Sequence, residues 1–373
     1  MRVAFRVDAS AESGTGHIMR CCTLANALRA SGARTLFICR DLPDSLNDAL
    51  HARGHDVVQL GGMAPGAELG ELEHAHWLGA TQAHDAEQTL RAVADYEPDW
   101  VVVDHYGIDV GWERVVRRRV PLLMAIDDLA DRHHECEVLL DQNLVENLER
   151  RYEGRVPQTC QSLLGPRYAL LGPAYAGLRC STQPRTAVER ILIFFGGADR
   201  HNLTGRALEA VLSLGRNDLH IDVVLSLSGA DVEAVQKVAA RSSTVTCHRG
   251  LPTLAPLVAS SDLAIGSFGA TSWERLCLGL PTLAVLMARN QREVAAALDR
   301  AGVALCIGSA ETVTAASIAE RVSAVLSGAD IRAWSARCME FCDGEGTQRV
   351  LDVIDRLSRE ARVEAGYAVQ ERQ

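Results

Sequence analysis

The chain has 373 residues, of which 47% are hydrophobic and 5% are aromatic. This length predicts about two domains, and the aliphatic composition favours a layered α/β fold over an all-β fold. The formal net charge of −10 argues against a general nucleic-acid binder. Because the sequence has no apolar run of about 18 residues and no signal-peptide pattern, we expect a cytoplasmic protein without stable membrane insertion. The sequence leaves the oligomeric state open.

Apolar strands alternate with amphipathic helices through the first half of the chain. The predicted strands lie near 2–8, 34–39, 56–60, 100–104 and 121–126, with a further strand in EVLLDQN. The predicted helices lie near 17–31, 44–53, 83–95 and 109–118. This alternation predicts a parallel sheet with helices on both faces, and it gathers the loops at the carboxyl ends of the strands on one edge.

The segment DASAESGTGHIMR connects the first predicted strand to the first predicted helix. Two glycines allow a tight turn and a close backbone approach to a ligand, and the start of the next helix favours an anion. His17 is the candidate catalytic base, since histidine titrates near neutral pH, and Asp8 at the strand end is the candidate residue to orient it. Taken alone, such a loop is more often a structural turn. The candidate ligand-binding residues here are Gly14, Thr15, Gly16 and Arg20.

Polar residues also follow two later strands at the same predicted edge. Asp104, His105 and Tyr106 come after WVVV, and Asp127 and Asp128 come after LLMAI. Tyr106 is a candidate substrate contact, and the paired carboxylates suit sugar hydroxyls. Taken singly, each of these residues is more often a helix cap, a turn or a domain edge than a substrate contact. Other histidines lie in polar stretches and are expected on the surface: His51, His55, His74, His76, His133 and His134.

The alternation of strands and helices restarts after two Gly-Pro pairs, so residues 165–187 are predicted to link two domains. Strands are predicted near 190–195, 221–226, 243–247, 262–266, 282–286 and 303–307. A closing helix is predicted over 347–363, with Val350, Leu351, Ile354 and Leu357 on one stripe. We therefore expect domains at 1–170 and 171–346, followed by this helix and a polar tail at 347–373.

Two further glycine loops mark the second half. ILIFFGGAD resembles the opening segment in layout and makes Gly197 a candidate ligand contact, and IGSFGATSWERLCLGLP places small residues before a helix. Backbone amides of the second loop suit a diphosphate, and Glu274, one turn into the helix, suits ribose hydroxyls. A capped helix start with Glu274 as capping-box partner explains this loop equally well. Arg275 and Arg20 are candidate phosphate partners, but a solvent-facing charge on a helix is the more common role of such a residue. The candidate residues of this loop are Ser267, Phe268, Gly269, Ala270, Thr271, Ser272 and Glu274.

Eleven cysteines are scattered through apolar segments without a disulfide-like spacing. We expect most of them to be small core residues, as at Cys39, Cys277 and Cys306. Cys338 and Cys342 suit one helix face, but no second pair of cysteines or histidines completes a zinc site. The sequence therefore predicts neither a metal nor a cofactor.

Seven motifs in order resemble the UDP-sugar hydrolases of pseudaminic-acid synthesis, relatives of the lipid-linked N-acetylglucosamine transferase of peptidoglycan assembly. They are RVDASAESGTGHIMRCCTLA, VVDHYGID, AIDDLADRHHECEVLLDQN, GPRYALL, FFGGAD, IGSFGATSWERLCLGLP and ARNQ. The resemblance implies an α/β fold of two Rossmann-like domains facing across a cleft, the GT-B architecture. The N-terminal domain would carry the catalytic loop and a sugar-facing edge, and the C-terminal domain would bind UDP.

The resemblance also implies roles for single residues. His17 matches the catalytic base that activates water, Glu274 matches the nucleotide-contacting glutamate, and Asn290 falls in a region near the ligand. The implied reaction is metal-independent inverting hydrolysis of UDP-2,4-diacetamido-2,4,6-trideoxy-β-L-altropyranose to the free sugar and UDP, a step in pseudaminic-acid-type synthesis. Two alternatives stay open: a glycosyltransferase that uses a UDP-amino sugar, and a nucleotide-sugar-binding protein without turnover.

Overall fold

The computed structural model describes residues 1–10, 12–62, 70–197, 199–225 and 231–370, with side chains except at 231 and 365–370. The chain divides into two compact units. Unit 1 comprises Met1–Asn143, Asn147–Leu170 and Gly346–Gln373, and unit 2 comprises Leu144–Glu146 and Leu171–Glu345. The last residues of the expected polar tail, 371–373, lie outside the described residues.

Unit 1 is built on a seven-stranded parallel sheet with strand order β3-β2-β1-β4-β5-β6-β7. Its strands and helices are β1 Arg2–Val7, α1 Gly16–Ala30, β2 Arg34–Cys39, α2 Asp44–Ala52, β3 Asp56–Gln59, α3 Gln82–Ala92, β4 Trp100–Asp104, α4 Val110–Val116, β5 Leu122–Ile126, β6 Val138–Asp141 and β7 Gln161–Leu164. Short 3-10 helices occupy Ala75–Leu78, Leu148–Arg150 and Pro166–Tyr168.

Unit 2 is built on a six-stranded parallel sheet with strand order β10-β9-β8-β11-β12-β13. Its strands and helices are α5 Pro173–Arg179, β8 Arg190–Phe194, α6 Leu203–Ser213, β9 His220–Val224, α7 Asp231–Ala239, β10 Val245–His248, α8 Ala255–Ser260, β11 Leu263–Ser267, α9 Thr271–Cys277, β12 Thr282–Leu286, α10 Arg292–Arg300, β13 Ala304–Ser309, α11 Ala315–Gly328 and α12 Ile331–Cys338. The last helix, α13 (Gly346–Gln370), belongs to unit 1.

Both sheets reverse their strand order beside the first strand of the unit. In unit 1, β4 lies directly beside β1, with Val7 opposite Asp104. In unit 2, β11 lies directly beside β8. Ligands of open parallel sheets bind outside the carboxyl ends of the strands at such a switch point. The two Rossmann-like α/β units confirm the predicted fold class.

Apolar side chains of unit 1 pack on both faces of its sheet because the strands alternate inward and outward residues. Val3, Phe5 and Val7 of β1 join one core, whereas Ala4 joins the other. The predicted stripe of α13 packs into the first core, where Val350 and Ile354 are fully buried. The closing helix therefore completes the interior of the unit that begins the chain.

The sequence-based boundaries agree with the structure for most strands, but three features differ. Strand β7 was not predicted, and the segment expected to be a turn-rich linker contains helix α5. Cys306 is exposed on β13, in contrast to the expected core position, whereas Cys39 and Cys277 are buried and all eleven cysteines are free thiols. Within the described ranges, no helix is both long and apolar enough to cross a membrane.

The expectation that the remaining histidines lie on the surface is wrong for His55 and His134, which are 2% and 4% exposed. The Nδ1 atom of His134 lies 2.7 Å from the Glu113 carboxylate, and its Nε2 atom lies 3.8 Å from Asp127. Burial lowers the pKa of His134, but these two carboxylates more than offset it and raise the pKa to about 9. A buried imidazolium therefore joins α4 to the loop after β5.

We expect the stability of unit 1 to fall between pH 6.5 and pH 9 because of His134. The folded protein keeps a proton there that the unfolded chain releases, so the contribution of His134 is complete below its unfolded pKa and lost through its folded pKa. The free energy of unfolding is measured by urea unfolding followed by tryptophan fluorescence at several pH values. Between pH 6.5 and pH 9 it should fall less in His134→Gln than in the wild-type protein, by up to roughly 3 kcal/mol. An equal drop in both proteins would contradict this assignment.

Candidate functional site

Four carboxylates lie buried at the carboxyl edge of the sheet of unit 1. Asp8 follows β1, Asp104 ends β4, Asp127 follows β5 and Asp141 ends β6. Buried carboxylates need cationic or hydrogen-bonding partners, and basic side chains supply them here. The edge expected from the sequence to carry polar residues is therefore a packed ionic layer.

His17, near the start of α1, is held by Asp104. Its Nδ1 atom lies 2.6 Å from Asp104 Oδ1, and the side chain of His17 is 11% exposed, whereas that of Asp104 is fully buried. An ionised carboxylate only accepts hydrogen bonds, and Asp104 at 2.6 Å lies closer to Nδ1 than the competing donor Arg20 Nη2 at 3.2 Å, so Nδ1 carries the proton in the neutral ring. This leaves Nε2 as the nitrogen able to accept a proton.

Arg20, one turn further along α1, keeps Asp104 ionised. Its Nε and Nη2 atoms each donate to Asp104 at 2.6 Å in a bidentate pair. Burial alone raises the pKa of Asp104, but Arg20 and then His17 reverse the shift and hold that pKa well below its ordinary value. Arg20 is 6% exposed, so the expectation of a solvent-facing helix charge is wrong.

A second carboxylate, Asp128, extends this cluster. It accepts hydrogen bonds from Arg20 Nη1 at 2.8 Å, from the Tyr106 hydroxyl at 2.6 Å and from Asn143 Nδ2 at 2.7 Å. The Tyr106 ring meets the ring of His17 edge-on, with centroids 4.6 Å apart. Tyr106 is only 5% exposed, so it supports His17 and Asp128 from within the protein.

Asp8 does not orient His17, contrary to the sequence-based expectation. Its carboxylate accepts from Arg6 at 2.7 and 2.9 Å and from the backbone N–H of Arg40 at 2.6 Å. His105 Nε2 lies 3.3 Å away. Asp8 is therefore paired with Arg6, which lies in the preceding strand β1. The His17 imidazole contacts Asp104 at the end of the neighbouring strand β4 instead.

The glycine loop before α1 has the tight turn that was expected. Gly14 has a φ of +73°, a left-handed conformation that favours glycine. Its N–H donates to the carbonyl of Ser10 at 3.0 Å. Thr15 precedes the helix without a side-chain capping bond, and α1 begins at Gly16.

The second-unit loop between β11 and α9 is braced by Arg275. Its guanidinium donates to the carbonyl of Ser267 at 2.6 Å and to the hydroxyls of Thr271 and Ser272, each at 3.1 Å. These hydroxyls make no helix-capping bond. Arg275 is 4% exposed, which corrects the expectation of a solvent-facing charge, and burial lowers its pKa to about 10.

Glu274, a predicted nucleotide contact, and Asn290, predicted to lie near the ligand, carry buried oxygens. Within the described part of the chain, neither Glu274 Oε2 nor Asn290 Oδ1 makes a hydrogen bond of normal geometry, and the Tyr175 hydroxyl, which also lacks one, interacts with the Glu274 carboxylate. Burial raises the pKa of Glu274, although nearby Tyr175 and Arg275 oppose the shift. Glu274 also lines a cavity of about 10 Å³ between β8, β11, α8 and α9, which has room for about one water molecule. Such unsatisfied oxygens mark a ligand-binding position or a site of ordered water.

The other predicted residues of unit 2 lie near the carboxyl ends of β8 and β11. Gly197 follows β8 and is exposed, as is Ala270. Phe268 is 3% exposed, so its ring belongs to the interior. Asp199 accepts from the backbone N–H groups of Leu203 and Thr204 and so caps α6.

The sequence did not reveal which carboxylate holds His17, nor the part played by Asn143. Asp104 was visible as a polar strand end, but its partner depends on β4 pairing with β1 across a gap of about ninety residues in the chain. Across the described segments, no group of three or more His, Cys, Asp or Glu side chains is arranged to hold a metal ion.

No protein-family model matches the sequence. The chain is 25% identical over 301 residues to an uncharacterized protein of Methanocaldococcus jannaschii, and the alignment covers 79% of the chain but only 57% of that protein. It is 25% identical over 303 residues to the UDP-2,4-diacetamido-2,4,6-trideoxy-beta-L-altropyranose hydrolase of Campylobacter jejuni, covering 81% and 97%. It is 20% identical over 361 residues to the spore coat polysaccharide biosynthesis protein SpsG of Bacillus subtilis, covering 96% and 98%. These identities support a distant family link.

Solved structures show the same fold. MurG from Acinetobacter baumannii matches with a TM-score of 0.64 at 15% identity, covering 95% of the chain and 99% of MurG. The calicheamicin glycosyltransferase CalG4 matches with a TM-score of 0.63 at 15% identity, covering 95% and 97%. The chain therefore has the two-domain α/β fold of GT-B glycosyltransferases.

We expect Gly266→Ala, at the end of β11, to destabilise unit 2, whereas Gly269→Ala in the loop that follows is tolerated. A Cβ atom at Gly266 would lie 2.6 Å from the Phe194 carbonyl oxygen and 2.9 Å from Arg275, whereas one at Gly269 meets nothing closer than 3.6 Å. Overpacking of this kind costs roughly 1–3 kcal/mol. Thermal unfolding of the two variants measures the difference, and equal melting temperatures would show that the backbone around Gly266 can shift to accept a side chain.

Proposed function

We propose that this protein hydrolyses a UDP-activated amino sugar to the free sugar and UDP, with inversion at the anomeric carbon. The observation that carries the proposal is the hydrogen bond between His17 Nδ1 and Asp104, which makes Nε2 the proton-accepting nitrogen of the neutral ring in a partly exposed histidine. A histidine held in this way is suited to remove a proton from water.

The proposed reaction needs little beyond this base and a nucleotide site. His17 Nε2 takes a proton from water as the oxygen attacks the anomeric carbon, and the bond to UDP breaks on the opposite side. Asp104 stabilises the imidazolium that forms, because Arg20 keeps its carboxylate ionised. UDP leaves as an anion that backbone amides of the glycine loops can stabilise, so no metal ion takes part in the proposed step.

Unit 2 is the proposed nucleotide-binding unit. In the described structure Asn290 Oδ1 and Glu274 Oε2 are buried oxygens without a hydrogen bond of normal geometry, and beside Glu274 lies only the Tyr175 hydroxyl, so ligand hydroxyl groups would satisfy these oxygens. The loop that precedes Glu274 is fixed by Arg275 through Ser267, Thr271 and Ser272. A fixed loop presents its backbone to a ligand without losing conformational freedom on binding.

The substrate that we propose is UDP-2,4-diacetamido-2,4,6-trideoxy-β-L-altropyranose, which would place the protein in pseudaminic-acid-type synthesis in the cytoplasm. The support is the distant relationship to the Campylobacter jejuni hydrolase over most of both chains. The relationship to a polysaccharide biosynthesis protein agrees with a role in sugar metabolism.

Glycosyl transfer is the second candidate function. It is favoured by the structural likeness to glycosyltransferases such as MurG and CalG4. A transferase would use the same base on an acceptor hydroxyl instead of water. Incubating the purified protein with the UDP-sugar and a chelator distinguishes the functions: a hydrolase releases UDP without an acceptor, a transferase needs one, and a binding protein releases none.

We expect His17→Gln to lower the rate of UDP release by roughly 10²–10⁴-fold while UDP binding stays near normal, because general-base catalysis is lost. Turnover is measured by UDP release and binding by titration calorimetry. His51→Gln, at an exposed position in α2, is the matched control and keeps full activity. Near-normal turnover of His17→Gln would remove His17 from the mechanism.

We expect Glu274→Gln to weaken UDP binding by roughly tenfold or more, since a charged hydrogen-bond acceptor contributes about 1.5–3 kcal/mol. Its melting temperature should stay level or rise, because the buried carboxylate has an unsatisfied oxygen. Glu320→Gln on the exposed face of α11 is the control. Lower stability with unchanged affinity would assign Glu274 a structural role in place of nucleotide binding.

A further inference from the structure

Three aromatic rings of unit 1 form a continuous group beside His17, here called the aromatic wall: His74, Trp77 and Tyr106. Trp77 and Tyr106 stack with ring centroids 5.6 Å apart. His74 meets Trp77 and Tyr106 edge-on at 4.5 and 5.4 Å. Because Tyr106 also contacts His17, only one phenol ring separates Trp77 from the proposed base.

The free surface of the aromatic wall belongs to Trp77 and not to Tyr106. Tyr106 is 5% exposed, and the Arg132 guanidinium lies 5.8 Å from its ring centroid. Trp77 is only partly buried, although Ala75 and Leu78 of the same 3-10 helix are buried. Tryptophan is enriched at binding interfaces because it combines a large apolar ring with a polar N–H group, so the partly exposed Trp77 is a candidate ligand contact.

The loop geometry places Trp77 next to the opening glycine loop. His76, its neighbour in the 3-10 helix, pairs with Glu12 of that loop at 3.4 Å. The aromatic wall therefore borders the segment that ends in His17.

His74 adds a polar function to this apolar surface. Its Nδ1 atom is buried and has no hydrogen-bond partner in the part of the chain that the structure describes. Burial lowers the pKa of His74, so the ring is neutral at neutral pH and Nδ1 either donates or accepts one hydrogen bond. An unsatisfied polar atom next to a free aromatic surface suits a ligand group with both a polar and an apolar part.

We propose that the aromatic wall is the specificity-determining subsite for an N-acyl group of the sugar, with Trp77 covering the acyl methyl and His74 Nδ1 hydrogen-bonding the amide. The proposal rests on the proposed function and extends it to the residues that select an N-acylated sugar. A sugar that carries a hydroxyl in place of the N-acylamino group would leave the Trp77 ring in contact with water and would offer no amide to His74 Nδ1.

The test compares UDP-N-acetylglucosamine with UDP-glucose, which differ only in an acetamido group and a hydroxyl group at one carbon. Titration calorimetry gives both affinities for the full chain, with UDP as reference. We expect the full chain to prefer the N-acetylated sugar by roughly tenfold or more, the discrimination typical of a methyl-sized contact. Trp77→Ala should bring this ratio near one with unchanged affinity for UDP, and Trp77→Phe should restore most of it.

Trp334→Phe in unit 2 is the control for loss of a tryptophan and should leave the ratio unchanged. A ratio that survives in Trp77→Ala, or a wild-type protein without preference for the N-acetylated sugar, would overturn the proposal. UDP release is measured separately. A protein that releases no UDP from any UDP-sugar refutes the proposed hydrolysis, whereas the affinity ratio still decides whether the aromatic wall selects the N-acyl group.

Discussion

The carboxylate of Asp104 is the constraint on which the candidate site of unit 1 depends. It ends a buried strand, and it binds His17 with one oxygen and Arg20 with both. Without Arg20, burial would favour the neutral acid, which could not hold the imidazole in the same way. The orientation of the proposed base thus follows from two residues one turn apart on a helix and one residue at the end of a strand.

The candidate sites of the two units differ in how their buried charges are satisfied. In unit 1 the arginines and carboxylates at the sheet edge are paired, so the layer is rigid and the proposed base is its partly exposed member. In unit 2 the Arg275 guanidinium hydrogen-bonds the loop before α9, and Glu274 Oε2 makes no hydrogen bond of normal geometry. Paired charges fix a framework, whereas an unsatisfied oxygen is available to a ligand.

Hydrolysis and glycosyl transfer differ in the nucleophile and not in the fold. The distant relative named as a hydrolase and the glycosyltransferases that share the fold leave both reactions open. Fold alone does not decide between them. Which nucleophile reacts depends on whether water or an acceptor hydroxyl lies beside His17. The aromatic wall adds an apolar surface near this position that neither the glycine loops nor the ionic cluster provides.

The amino-acid sequence by itself determined the α/β class, most strand positions and the glycine loops, because these follow from local periodicity and from the backbone freedom of glycine. It also singled out His17 by its place between a strand and a helix. Only the tertiary structure decided that Asp104 and not Asp8 meets His17, that Arg20 and Arg275 are buried, and that Trp77 and His74 join Tyr106. These contacts depend on strand order and on which buried charges neutralise one another, and residues distant in the chain carry no local signal of either.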